Sequence, residues 1–213
     1  MKIFIKKEKS KYQKEPKETT KLLIFSGNPS QYHAPLFRKI NKALNGKMFV
    51  MFGGSFGIEP FYNPEVNSII KWDIPIIGGY PFKVYRSLSS EKWRNFFRWN
   101  NPGMIFTVIF SKAPFVLIHG YNSLSAIYVY LAAIISGKKI IFRGETIEKI
   151  HRGKSFTNFL KEIILYFYFL GTYKVLFSCT KNCQYLKKFL LGKNYKLVSF
   201  PCAVDNHFFV LGK

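Results

Sequence analysis

Acidic residues are few in this sequence for its size. Eleven Asp and Glu stand against 33 Lys and Arg in 213 residues, a formal charge of +22. A field of that sign draws polyanions of any kind, so nucleic acid, anionic lipid and sugar-nucleotide phosphates are all admitted as partners. Part of it sits in the first 21 residues, where Lys2, Lys6, Lys7, Lys9, Lys11, Lys14, Lys17 and Lys21 face only Glu8, Glu15 and Glu18. Residues 1–20 therefore read as a basic, flexible tail. Cysteine is scarce too. Cys179, Cys183 and Cys202 are an odd number without a Cys-x-x-Cys pair, which argues against a disulfide framework and against a zinc site.

Long apolar runs are missing as well. No apolar stretch of signal-peptide length precedes Leu22, and the most apolar segment, Ile163 to Leu170, falls short of the roughly 20 apolar residues a membrane span needs. A cytoplasmic protein is expected, with a helix lying peripherally on the inner face of an anionic membrane as the extension that charge and aromatics favour. The familiar phosphate motifs are absent. Gly53-Gly54-Ser55-Phe56-Gly57 is not G-x-G-x-x-G and leads into Pro60, and Gly153-Lys154-Ser155 ends like a P-loop but has Glu148 at the place of its first glycine. No RNP-like aromatic pattern appears, so specific nucleic-acid recognition is not expected.

What is present is a repeated unit: a short apolar run, a small or polar loop, then a helical pattern. The predicted strands are Leu22–Ser26, Met48–Phe52, Phe115–Ile118, Lys139–Phe142, Lys174–Phe177 and Lys196–Phe200. Helices are predicted from Pro35 to about Leu44, at Met104–Lys112, Ser123–Ser136, Phe156–Leu170 and Lys181–Leu190. Between Gly53 and Pro102 the chain reads as irregular, holding a short strand at Ile69–Trp72 and a helix near Glu91–Arg98. Strands apolar on both faces and alternating with helices imply one α/β domain over residues 21–200, a doubly wound, Rossmann-like parallel sheet.

Ligands of such sheets bind beyond the carboxyl ends of the strands. The residues just after each predicted strand are the candidates: Gly27, Asn28 and His33 after the first, His119, Gly120 and Asn122 after Phe115–Ile118, Arg143 and Glu145 after Lys139–Phe142. His119 suits proton transfer or polarisation of a hydroxyl, because a neutral imidazole both donates and accepts near pH 7; a satisfied histidine at a strand end is the competing reading. His33 is open to the same two readings. Arg143 and Glu145 form either an anion contact with a carboxylate neighbour or simply a pair. Gly27 is either a close-approach point for a ligand or a plain turn glycine. Cys179 and Cys183, four residues apart, suggest only a shared helix face.

The segments LLIFSGNPSQYHAPLFRKI, WDIPIIGGY, VLIHGYNS with its following GKKIIFRGET, and FPCAVDNHFF resemble family 4 glycosyltransferases, from about Lys21 to Phe209. That resemblance implies a B-type enzyme of two Rossmann-like domains facing across a cleft, of which this chain is the N-terminal, acceptor-side half, incomplete or dependent on a separate donor-binding chain. It implies transfer of a sugar from a nucleotide-sugar to a glycan or lipid-linked acceptor with retention, needing no metal and no cofactor. On the same analogy Gly27 comes near the donor phosphates, with Asn28, Gly120 and Asn122 in the loops that bind substrate. His119 matches a cleft histidine, the expected catalytic group, and Arg143 and Glu145 match an Arg-Gly-Glu seen in one branch. Pro201, Val204 and Asp205 then begin the interdomain linker, over 201–213. The second domain is expected to be absent, because no two glutamates stand eight positions apart as the family's donor half has them. A basic module binding nucleic acid or a membrane surface, or a domain without surviving activity, are the alternatives.

Overall fold

The computed structural model describes residues 14–63, 67–89, 96–146 and 156–201. Its main sheet is built from β1 (Leu22–Ser26), β2 (Met48–Phe52), β5 (Phe82–Val84), β6 (Phe115–His119), β7 (Lys139–Arg143), β8 (Lys174–Phe177) and β9 (Leu197–Ser199). They lie in the order β5-β2-β1-β6-β7-β8-β9, and every neighbouring pair is parallel. The chain steps outward from β1 in one direction, then returns across it to build the other half. The order thus reverses between β1 and β6, the topological switch point at which ligands of doubly wound sheets bind.

Why these residues form strands follows from their burial. All five residues of β2 and four of five in β1 are buried, as a strand covered on both faces requires. Leu23 and Phe25 enter one core with α2 (Gly103–Phe110) and α3 (Leu124–Ile135), while Ile24 enters another with Phe37 and Ile40 of α1 (His33–Ala43). Phe37 is fully buried, and a side chain of that size contributes about 1.5–3 kcal/mol by leaving water. A third cluster joins Phe142 and Val175 to Leu165, Tyr168 and Phe169 of α4 (Phe156–Leu170) and to Leu186 of α5 (Thr180–Lys187). At α3 the Ser123 hydroxyl caps the helix by accepting from the Ala126 N–H at 3.2 Å. None of these helices is long and apolar enough to cross a membrane.

The stretch expected to be irregular carries more order than its sequence announces. A hairpin of β3 (Phe61–Asn63) and β4 (Ser68–Ile70) forms a small antiparallel sheet. The strand expected at Ile69–Trp72 is thus shifted toward the hairpin turn. β5 extends the main sheet beside β2, although Pro81 precedes it and only three residues pair. Where a helix was expected near Glu91–Arg98, residues 90–95 lie outside the described residues and Phe96–Arg98 is a 3-10 turn.

The tail boundary also moves. Residues 1–13 lie outside the described residues, as do 202–213, all of the expected linker but Pro201, and Gly153-Lys154-Ser155. Residues 14–20, however, dock on the domain: the Lys14 N–H donates to the Phe82 carbonyl at 3.0 Å, Glu15 pairs with Lys83, and Glu18 pairs with Lys112 at 2.8 Å. The few acids of this region meet lysines of the sheet edge and of the turn after α2, which explains why the segment does not trail into solvent.

Candidate functional site

The switch point sets the carboxyl ends of β1 and β6 side by side. β1 ends at Ser26 and is followed by Gly27 and Asn28; β6 ends at His119 and is followed by Gly120. β7 lies beyond β6 with Arg143 opposite His119, and the Gly120 N–H donates to the Arg143 carbonyl at 2.8 Å. Gly120 has φ +74°, in the left-handed region where a side chain is strained, so the chain can turn sharply off the strand there.

His33 opens α1, and its ring centre lies 4.6 Å from that of His119. Both rings rest on Phe37, one helical turn further on, at 5.7 and 5.9 Å. The apolar floor supplied by Phe37 and Tyr80 explains the electrostatics. Burial, then the Arg143 guanidinium, holds the His33 imidazolium down at about pH 4, with Glu145 opposing in part. His119 is pushed well below its ordinary value, by burial first and then by His33 and Arg143. Both imidazoles are therefore neutral near pH 7. His33 Nδ1 and His119 Nε2 are buried and make no hydrogen bond, and neither does the buried Asn28 Oδ1. Buried polar atoms of native proteins normally have a partner, so three unpartnered ones in adjoining loops are atoms that a bound hydroxyl or water would satisfy.

Arg143 is nearly fully buried and lies 5.2 Å over the Phe200 ring, while Nη2 meets Glu145 Oε1 at 3.5 Å; Glu145 is more than half exposed. The pair is real but long, and it keeps a cation behind the two histidines. Asn122 is exposed, with Oδ1 where a Gly120 Cβ would be only 3.3 Å away. His33, His119, Arg143 and Glu145 are thus brought together, with Gly120 and Asn122 at the rim.

Gly27 has a different neighbour from the one its sequence suggests. A Cβ there would stand 2.3 Å from the Trp99 indole, and one on Gly53 would stand 3.0 Å from it. On Gly54 it would meet Asn28 Oδ1 at 2.6 Å and Trp99 Nε1 at 3.3 Å. Three glycines beyond β1 and β2 thus form a shelf that the indole occupies. The backbone next to it is pinned: Trp99 O accepts from the Ser125 N–H at 3.0 Å, and the Ser125 N–H belongs to the first turn of α3. Asn101, fully buried, donates through Nδ2 to the Gly53 and Tyr85 carbonyls at 3.0 and 2.9 Å and through its backbone N–H to Ser125 Oγ at 2.9 Å. The Ser125 hydroxyl lies 2.7 Å from Asn101 Oδ1 and 2.8 Å from Trp99 O, and its single proton serves one at a time. Neither Trp99 nor Asn101 is among the sequence-derived candidates. The cluster of glycines without a phosphate motif was the available sign that something bulky fills the shelf.

Among the described residues no three His, Cys, Asp or Glu lie together as metal ligands. Cys179 and Cys183 are free, the first exposed just before α5, the second half-buried within it.

No protein-family model matches the chain, and no curated protein does. Among solved structures it is similar to Anabaena HepE in complex with UDP and glucose, with a TM-score of 0.54 at 11% identity, and to the same protein in complex with UDP, with a TM-score of 0.53 at 12% identity. Each likeness covers 89% of this chain and 46% of the other, so the chain spans about half the length of HepE. At such identity the likeness is one of fold: the chain shares a Rossmann-like α/β fold with one half of HepE.

Proposed function

We propose that this chain is the acceptor-side half of a B-type, family 4-like glycosyltransferase that moves a sugar from a nucleotide-sugar to a glycan or lipid-linked acceptor with retention. The neutral His33–His119 pair at the switch point carries the reading. A neutral imidazole with an unpartnered nitrogen can hydrogen-bond a sugar hydroxyl, and His119, at the end of β6, is the group assigned to the transferred sugar. Asn28 and the loop at Gly120 and Asn122 complete the acceptor wall, and Arg143 with Glu145 fixes the field behind it. The similarity in fold to a protein solved with UDP and glucose supports a nucleotide-sugar as donor. The main contacts to that donor come from a second Rossmann-like half, in the same polypeptide or on a separate chain. No metal or cofactor is assigned a role.

The test is sugar transfer and UDP-sugar binding by this chain, alone and joined to candidate donor-binding halves. Transfer is expected only with the second half present, and His119→Ala is expected to abolish it. Full turnover by this chain alone, with donor bound within it, would refute the half-enzyme reading.

A peripheral contact with anionic membrane is supported by one feature. Ile164, Phe167 and Leu170 of α4 are 54, 62 and 43% exposed on the outside of the domain, and Phe167 lines the same hollow as Lys188. Apolar side chains beside a lysine suit a lipid headgroup boundary. Sedimentation with anionic but not neutral vesicles, lost in Phe167→Ser, is the expected result.

A further inference from the structure

Arg98 ends the 3-10 turn Phe96–Arg98 and directly precedes the indole that fills the glycine shelf. Its guanidinium carbon lies 5.1 Å from the Trp99 ring centre and 5.8 Å from that of Phe56. Phe56 packs at 4.4 Å on Phe61 of β3, and Phe61 at 6.0 Å on Trp72, so the small hairpin backs the ring that the arginine touches. Contact of this kind uses none of the guanidinium's N–H groups. Among the described residues Arg98 has no side-chain hydrogen-bond or ion-pair partner, and its Nε is buried without one.

Place and chemistry coincide here. The Trp99 ring lies against Gly27, Gly53 and Gly54, so the cation it holds belongs to the carboxyl edge of β1 and β2, beside the switch point. A guanidinium with its position set by rings and its donors unspent presents a fork matched to a tetrahedral oxyanion, which takes two parallel N–H···O bonds. A lysine would supply charge without that fork. The pinned backbone at Trp99 and Asn101 means the cation is set in place before any ligand arrives, which lowers the ordering cost of binding.

We propose that Arg98 is an anion-binding group that receives a phosphoryl group of the ligand bound at this edge. Assigning that phosphoryl group to a donor nucleotide or to a phosphorylated acceptor rests on the proposed glycosyl transfer; the anion site itself does not. Both sources present the same diphosphate oxygens.

The chain has three tryptophans, so the double variant Trp72→Phe, Trp93→Phe leaves Trp99 as the sole indole reporter. Inorganic pyrophosphate titrated into it is expected to shift Trp99 emission saturably. Arg98→Gln should weaken that binding at least about tenfold, and Arg98→Lys should weaken it less, since a charge remains but the fork is gone. Phe56→Leu, at a partly exposed ring, should weaken it about threefold while leaving the charge. Should Arg98→Gln melt early by circular dichroism, the Lys and Phe56 variants carry the comparison. UDP and farnesyl diphosphate are the two source arms: tighter Arg98-dependent binding of UDP assigns the site to the donor, and of farnesyl diphosphate to the acceptor. Pyrophosphate affinity unchanged by Arg98→Gln, or no saturable response in any arm, overturns the proposal. Pyrophosphate binding without sugar transfer by the completed enzyme would sink the transferase reading and leave this one standing.

Discussion

On the β1–β2 side of the switch point Asn101 is fully buried with its amide and backbone N–H bonded, and an indole fills the room that three glycines leave. On the β6 side the His119 imidazole lies 4.6 Å from that of His33 at the start of α1, each with one buried nitrogen left without a partner. Around Asn101 the first wall is paired, Asn28 Oδ1 and Arg98 Nε being its buried exceptions, whereas the second wall leaves a nitrogen of each imidazole without a partner. A satisfied buried amide stabilises the fold, while an unsatisfied buried nitrogen costs stability until a ligand meets it. Substitutions at Asn101 and Gly27 should therefore cost stability, and substitutions at His119 should cost ligand binding.

The largest stability loss is expected for Asn101→Ala, which strands the Gly53 and Tyr85 carbonyls: about 2–4 kcal/mol, read as a lowered urea midpoint with an unchanged slope. Gly27→Ala drives a methyl into the indole and should cost about 1–3 kcal/mol, with a change in tryptophan emission. Acid probes the other wall. His33 is held down at about 4 and His119 lies well below its ordinary value, so the unfolded chain takes up protons that the fold refuses. Stability is then full above the ordinary histidine range near 6.5 and falls as pH drops from there toward 4. Chemical denaturation across that window should show the loss, reduced in His33→Gln. His119→Phe removes an unpartnered nitrogen and should keep stability within about 1 kcal/mol of the parent while abolishing sugar transfer by the completed enzyme. If it unfolds the protein instead, the second wall is structural too. The smallest effect belongs to Glu145→Gln, under about 1 kcal/mol, because the pair to Arg143 is 3.5 Å long and the carboxylate is more than half exposed.

Much of the frame was legible along the chain. β1, β2, β6, β7 and β8 were readable because each holds a short apolar run, most fully buried in β1 and β2, and that pattern is local. β3 and β5 were not, and β4 was readable only with shifted bounds, since each pairs over three residues and owes its conformation to a neighbour. His33, Asn28, His119, Arg143 and Glu145 could be named by one rule, that loops after parallel strands share an edge. Trp99 and Asn101 could not. The indole meets Gly27 from 72 positions away and Asn101 meets Gly53 from 48, and no local periodicity records such a contact.

The amino-acid sequence alone determined the alternation of strand and helix, hence a parallel sheet with polar loops gathered at its carboxyl edge, because hydrophobic period and turn residues act over a few positions. Only the tertiary structure decided the strand order and its reversal between β1 and β6. It also decided the desolvation that keeps both histidines neutral, and the use of Gly27, Gly53 and Gly54 as a seat for Trp99 with Arg98 above it. Burial and long-range packing are properties of the assembled core, and no short stretch of the chain contains them.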